Sequence, residues 1–360
     1  MLAVVMFHTI GGAQSSNPLL RTIGIAVQAG WSGVTLFFVL SGFLITGILW
    51  DTRGSSHWWR NFYVRRILRI SPLYYGALLL VAATAAIQHN THGIAGLWVY
   101  ALYLQNVPWI QDTGASFRPL PLFHFWSLAV EEQFYLFWPF LLRAVQSVKQ
   151  AKRACIGIFL LSTAFRFGLW TFSTNAVAFN GFILSRSGEL ALGAYLAMSY
   201  RDGSWPRLQR FAPWTAWIAL AAFLAACLPS RSMKIESMGC ATAGLAFISL
   251  MWASVLVLCL APGIWNKCMK AAWLRWIGKI SYGAYVFHIL LQPFYGSIEA
   301  LILPHPGRVE ELAVRAVITW VATALIAWLS YKYFESPILK LRKHFRDSSP
   351  REHAATVGVH

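Results

Sequence analysis

The run WSGVTLFFVLSGFLITGILW, Trp31 to Trp50, contains no charged side chain. It supplies the roughly 20 apolar residues with which an α-helix crosses a hydrocarbon core of about 30 Å. Inside lipid every backbone polar group must be satisfied within the protein, so a run of this kind is helical. Small residues punctuate it. Ser32, Gly33, Ser41 and Gly42 suit a helix whose backbone is approached closely by a neighbour. Packing is their default role, and direct chemistry at Ser41 is the minority alternative.

Such runs recur along the whole chain. Apolar stretches near 1–14, 31–50, 71–88, 126–147, 154–172, 182–200, 212–228, 240–262, 280–303 and 312–334 predict about ten membrane crossings. A shorter piece, 93–107, reads as a re-entrant or interfacial helix. The fold class expected is therefore all-α and polytopic, with residues 1–346 as one membrane domain and the polar residues 347–360 as a disordered tail. The first span starts at Met1 and falls short of the usual length, so either the helix is truncated or the chain begins upstream. Composition agrees: 12% of residues are charged, against about 25% in soluble domains. The 18 Trp and 13 Tyr suit two interfacial belts.

The formal charge of +17 gathers in short basic clusters. These are Arg60, Arg65, Arg66 and Arg69; Arg143, Lys149, Lys152 and Arg153; Arg201, Arg207 and Arg210; Lys267, Lys270, Arg275 and Lys279; and Lys340, Arg342, Lys343 and Arg346. Read as loops between ten crossings, they alternate onto one side, as the positive-inside rule requires, with both termini cytoplasmic. The charge is then topological and lipid-facing, and no nucleic-acid partner is expected. The five cysteines show no metal-ligand spacing; Cys227 and Cys240 flank one expected external loop and pair if that side is oxidising, with two small buried apolar residues as the favoured reading. No metal site is expected. No Gly-rich phosphate loop, HExxH or nucleophile elbow appears.

Polar residues inside apolar runs carry the functional information. In WSLAVEEQFY, Trp126 to Tyr135, two adjacent carboxylates open a strongly apolar helix. A charge at the centre of a membrane helix costs roughly 2.5–3.5 kcal/mol on insertion scales, so each needs a partner, a wet cavity or a proton. Helical spacing stacks His124, Ser127, Glu131 and Tyr135 on one face. Glu132 lies about 100° further round. An interfacial helix start, favoured by the macrodipole, explains one carboxylate and leaves the rest of that face unexplained. His8, in the apolar run LAVVMFH, is either a general base or a histidine at a helix end. Arg66 and Arg69 are three apart and suit a phosphate-bearing ligand, or else anchor the helix to anionic lipid. Arg186 and Glu189, also three apart, can pair. Ser281, Tyr285 and His288 share a helical face with Tyr282 beside them, and Glu335 closes the last span as an interface charge or as partner of a basic loop.

Phe7-His8, Gly33 to Thr46, Phe62 to Tyr75, Trp126 to Pro139, Arg186 to Ala197, Gly278 to His288 and Glu335-Ser336-Pro337 occur in that order. Together they resemble the acyltransferase 3 family, membrane O-acyltransferases of bacterial surface sugars. The resemblance implies a bacterial inner-membrane enzyme. It would move an acyl group, most often acetyl, from cytosolic acyl-CoA to a hydroxyl of an extracytoplasmic or lipid-linked glycan. It needs no cofactor, since acyl-CoA is a co-substrate. His8 matches the family's essential first-helix histidine, and Arg66 and Arg69, with Arg65 beside them, match its Arg-x-x-Arg element for the acyl-CoA phosphates. The basic residue that the family carries ten or eleven positions before the histidine is missing, and no C-terminal esterase-like domain follows, so a standalone form is expected. The combined expectation makes His8 the base, with Glu131 orienting its imidazole or taking the proton itself, on the acceptor side and opposite Arg66 and Arg69. Ser41, Trp126, Ser127, Glu132, Tyr135, Arg186, Glu189, Ser281, Tyr282, His288 and Glu335 are supporting residues. The competing class is a non-catalytic transporter or flippase of a lipid-linked saccharide, whose usual internal repeats are not visible here.

Overall fold

A computed structural model describes residues 1–10, 18–110, 120–173, 176–302 and 308–345. The expected tail at 347–360 lies outside them. The described residues form helices and no strand. In chain order these are α1 (Leu2–Ile10), α2 (Pro18–Gln28), α3 (Ser32–Asp51), α4 (Trp58–Ile87), α5 (Thr91–Ala101), α6 (Trp126–Ala144), α7 (Val148–Phe172) and α8 (Ile183–Arg201). There follow α9 (Trp205–Cys227), α10 (Leu245–Leu260), α11 (Ile264–Met269), α12 (Ala272–Leu290), α13 (Gln292–Ile302), α14 (Arg308–Ser330) and α15 (Ser336–Lys340).

Among the described residues, 6 helical stretches are long and apolar enough to cross a membrane. They are Thr22–Asp51, Trp58–Ile87, Val148–Phe172, Trp205–Ser230, Cys240–Leu260 and Glu310–Phe345. Three further helices, α6, α8 and α12, are each 19 residues long, about 28 Å at the helical rise of 1.5 Å per residue. Their length suffices for a crossing, but Glu131, Glu132, Arg186, Glu189 and Lys279 make them more polar than the six. Of these three, α6 and α12 line the cavity described below, together with α1, α3 and α4.

Several expected boundaries move. α1 has 9 residues. The stretch 280–303 is two helices, because Pro293 lacks an N–H and fits only the first turn of a new helix, so α12 stops at Leu290 and α13 restarts at Gln292. The stretch 93–107 holds only α5, whose 11 residues begin where the Asn90 side chain accepts from the Gly93 N–H at 2.8 Å. Arg60, Arg65, Arg66 and Arg69 do not sit in a loop. They occupy the first turns of the 30-residue α4, since nothing between Trp58 and Arg69 breaks a helix.

Glycine decides the central packing. A Cβ on Gly42 of α3 would lie 1.9 Å from the Leu190 carbonyl oxygen of α8, and one on Gly193 of α8 would lie 1.9 Å from the Val39 oxygen of α3. The two backbones therefore touch at a crossing that only hydrogen side chains permit. Arg201 clips the same pair of helices at one end, donating to Asp51 at 2.7 and 2.5 Å and to the Gly47 carbonyl at 3.1 Å.

Hydrogen bonds also orient the bundle. Arg53, in the turn from α3 to α4, donates to the carbonyls of Arg143 and Val145 at 3.0 and 2.6 Å, so the end of α6 meets the start of α4. On α12, Tyr282 donates to the Ile70 carbonyl (2.7 Å) and Tyr285 to the His124 carbonyl (2.8 Å). α12 thus runs from the arginine-bearing part of α4 towards the start of α6. Cys227 and Cys240, read in the first place as two buried apolar residues and only in the second as a pair, form a disulfide with Cα atoms 5.5 Å apart. The reason is local: Gly239 lets the turn before α10 press onto α9, where a Cβ would lie 2.0 Å from the Ala226 oxygen.

Candidate active site

A cavity of about 420 Å³ opens between α1, α3, α4, α6 and α12. Arg66 and Arg69 line it from α4, Ser41 from α3, Glu131 and Tyr135 from α6, and Ser281, Tyr282 and Tyr285 from α12. Helical periodicity delivers the pairs Arg66 and Arg69, Glu131 and Tyr135, and Ser281 and Tyr285, because residues three or four apart face the same way.

At its centre Glu131 is 5% exposed. It accepts hydrogen bonds from Ser41 Oγ at 2.7 Å and from the Tyr135 hydroxyl, and those two hydroxyls lie 2.7 Å apart. The Arg66 guanidinium stands 5.9 Å from the centre of the Tyr135 ring, and its Nε is buried with no hydrogen-bond partner among the described residues. Two expectations change here. Glu131 is held by Ser41 and Tyr135 rather than by His8, and it shares one cavity with Arg66 and Arg69 instead of facing them across the membrane. Both arginines fall several turns inside α4, and α6 runs the other way, so the two motifs come level.

His8 is not among the lining residues, although Val4, one turn earlier on α1, is. Its ring centroid lies 5.3 Å from that of His288 and 5.8 Å from Phe123. His288 in turn is 5.2 Å from His124. Tyr285 joins this histidine group to the cavity. It lines the cavity, donates to the His124 carbonyl, and its oxygen is 2.5 Å from Ser127 Oγ. Ser281, Tyr285 and His288 do share a face of α12, with the first two at the cavity and the last among the histidines.

The remaining expected residues fall elsewhere. Arg65 does not line the cavity. Glu132 does not line it either, and its buried Oε1 has no hydrogen-bond partner among the described residues. Arg186 and Glu189 form a buried ion pair at 3.1 Å. The Arg186 guanidinium also lies 5.1 Å from the Trp126 ring centre and donates to the Asn180 carbonyl at 2.6 Å, which braces the start of α6 against α8. Glu335 is buried rather than at a lipid interface: a π-helical turn, Tyr331–Glu335, turns it inward, where it accepts from Ser330 at 3.2 Å and faces Gly283 of α12.

Sequence reasoning missed one residue near the arginines. Behind α15 the chain folds back on α4, which sets Phe345 5.9 Å beneath the Arg60 guanidinium and brings Arg342 within electrostatic reach of Arg65, Arg66 and Arg69. The basic cluster around Arg342 was visible in the sequence, but nothing there tied it to residues far earlier in the chain.

The geometry defines a helical membrane protein with a buried, arginine-lined cavity. Residues 1–332 match the model of the acyltransferase domain family, and the chain belongs to that family. It is 30% identical over 338 residues to the peptidoglycan O-acetyltransferase OatA of Listeria monocytogenes, covering 87% of this chain and 52% of that protein. It is 29% identical over 335 residues to YrhL of Bacillus subtilis, provisionally described as the same kind of enzyme, covering 86% of this chain and 51% of YrhL. The chain therefore spans about half the length of these curated relatives. No solved structure matches it.

Proposed function

We propose that this chain is a membrane O-acyltransferase that moves an acetyl group from cytosolic acyl-CoA to a hydroxyl of an extracytoplasmic or lipid-linked cell-wall glycan. The observation that carries this is the cavity in which Arg66 and Arg69 stand beside the Ser41–Glu131–Tyr135 triangle. Guanidinium forks suit phosphate oxygens, which is what the nucleotide end of acyl-CoA presents. The names of the relatives support acetyl as the group and peptidoglycan as the acceptor class. We read α6, α8 and α12 as crossings beside the six long apolar helices, with the 9-residue α1 as part of a further one, which makes about ten with both termini cytoplasmic in a bacterial inner membrane.

In this mechanism Arg66 and Arg69 hold the donor phosphates, and Glu131 fixes Ser41 and Tyr135 in the wall along which the pantetheine arm runs, so that the thioester lies further on, towards His8. His8 takes the proton of the acceptor hydroxyl, the oxygen attacks the thioester carbonyl, and the C–S bond breaks. The proton on His8 then passes to the departing CoA thiolate, so no acid or base is consumed. A positioned base contributes typically 10²–10⁴-fold. Membranes containing the protein are expected to consume radiolabelled acetyl-CoA and deposit label on glycan. Replacing both arginines (R66Q with R69Q) should raise the donor KM at least tenfold. Undiminished use of acetyl-CoA by that variant, or none by the wild type, refutes the assignment.

A further inference from the structure

The two histidines next to His8 are left in an unusual state. His288 Nδ1 lies 2.8 Å from the Tyr285 carbonyl oxygen, and His124 Nε2 lies 3.2 Å from that of Val286. A carbonyl only accepts, so both ring nitrogens carry the N–H. In the neutral rings the lone pairs then belong to His288 Nε2 and His124 Nδ1. Both side chains are buried, at 2% and 1% exposure, and neither lone pair has a hydrogen-bond partner among the described residues. The three imidazoles are not arranged to share a metal ion.

An unmet buried acceptor is expensive, about 1–3 kcal/mol, and native proteins hold few of them. Two on adjacent rings, 5.2 Å apart, mark a place built to receive hydrogen-bond donors. Phe123 tells which kind. It is 55% exposed, and its ring lies 5.8 Å from His8 and 6.0 Å from His124. An open aromatic face beside paired acceptors suits a ligand with an apolar C–H face and hydroxyls at its edge. A saccharide has both.

We propose that His288 Nε2 and His124 Nδ1 form the acceptor-sugar subsite, taking hydrogen bonds from hydroxyls of a saccharide that rests on Phe123. The subsite presents the reacting hydroxyl to His8, 5.3 Å from His288. His124 and His288 are positioning residues and do not exchange the proton. The subsite rests on the acceptor being a sugar, as in the function proposed above, but it makes a separate claim about binding.

The full-length protein in lipid nanodiscs, titrated with the disaccharide N-acetylglucosaminyl-N-acetylmuramic acid, tests it by saturation-transfer NMR alongside acetyl-CoA kinetics. His288→Asn keeps a donor for the Tyr285 carbonyl and removes the Nε2 lone pair. His124→Gln keeps a donor for Val286 and removes the Nδ1 lone pair. Phe123→Ala removes the platform without touching either ring. Each histidine variant is expected to weaken disaccharide binding, and to raise the acceptor KM, by about 3–10-fold, the worth of roughly one hydrogen bond, and Phe123→Ala is expected to shift both in the same direction through loss of the stacking face. The donor KM should stay within a factor of two. If one histidine variant fails to fold, the other and Phe123→Ala carry the same comparison. Unchanged disaccharide binding in the folded variants overturns the subsite and assigns the lone pairs to water. Weakened binding without any acetyl-CoA consumption by the wild type upholds the subsite and sinks the acyltransferase assignment.

Discussion

Replacing Gly42 by Ala tests whether the α3–α8 crossing sets the geometry of the cavity. The added Cβ would sit 1.9 Å from the Leu190 oxygen and 2.7 Å from its carbonyl carbon, both backbone atoms, so no rotamer change relieves the clash. Ordinary contact begins near 3.4 Å, so the helices must separate by about 1.5 Å at this point. A radial gap of 0.5–1 Å already forfeits a quarter to a half of a contact's dispersion energy, and this crossing is lined with such contacts. Overpacking of this kind costs about 1–3 kcal/mol. Ala gains back about 1 kcal/mol in helix propensity, so the net loss runs up to about 2 kcal/mol, and the 1.9 Å approach to a backbone atom puts it at the upper end. Gly168→Ala on α7 is the control, because nothing lies within 4 Å of its Cβ position, and the propensity gain alone should make it neutral or stabilising. Thermal unfolding of the two purified variants in one detergent should therefore shift in opposite directions from the wild type. Ser41 adjoins Gly42, so G42A should also lose most acetyl transfer. A G42A protein as stable and as active as the G168A control refutes the claim that the crossing is closed by backbone contact.

Three further outcomes follow from the same geometry. Tyr135→Phe and Glu131→Gln act on one hydrogen-bonded triangle, so their effects on turnover should be non-additive by about 0.5–3 kcal/mol, and simple additivity in a double-mutant cycle refutes the coupling. Arg342→Gln should raise the KM for acetyl-CoA several-fold while leaving kcat within a factor of two, since Arg342 adds charge at the arginine cluster and lies outside the cavity lining; an unchanged donor KM shows that it has no part in binding. Asp202, between α8 and α9, is pulled up by burial, but hydrogen bonds from Lys152 (2.8 Å) and Ser204 outweigh this and hold its carboxyl below its ordinary value. Its stabilisation is thus present above the ordinary carboxylate range and is lost as pH falls through the lowered value. Asp202→Asn should cost no more than about 1 kcal/mol at neutral pH and flatten the acid limb of the unfolding curve, and an unchanged acid limb in the variant refutes the linkage.

The close approach at Gly33 and Gly42 was legible in the sequence because a stripe of small residues in an apolar run has few other uses, whereas the facing Gly193 of α8 was not. The Arg66–Arg69 face and the Arg186–Glu189 pair were legible because helical periodicity alone fixes which neighbours meet. The disulfide was not, since spacing says nothing about whether a turn folds back on the preceding helix. The break at Leu291 follows from Pro293, a signal that the strong hydropathy on both sides hid. The partners of Glu131 were misjudged for a different reason: Ser41 is 90 residues away in the chain, and no local pattern records such a contact.

By itself the sequence determined that this protein is a bundle of membrane helices with polar residues that lipid would not tolerate unaided. That follows because hydropathy and helical period are local properties, written within some 20 residues. How those residues are shared out depends on the packing of the folded bundle. It brought Glu131 level with Arg66 and Arg69 through antiparallel helices, and it set His8 beside His124 and His288. Which titratable groups meet depends on helix direction, depth and rotation in the bundle, and these are fixed by packing between segments far apart in the chain.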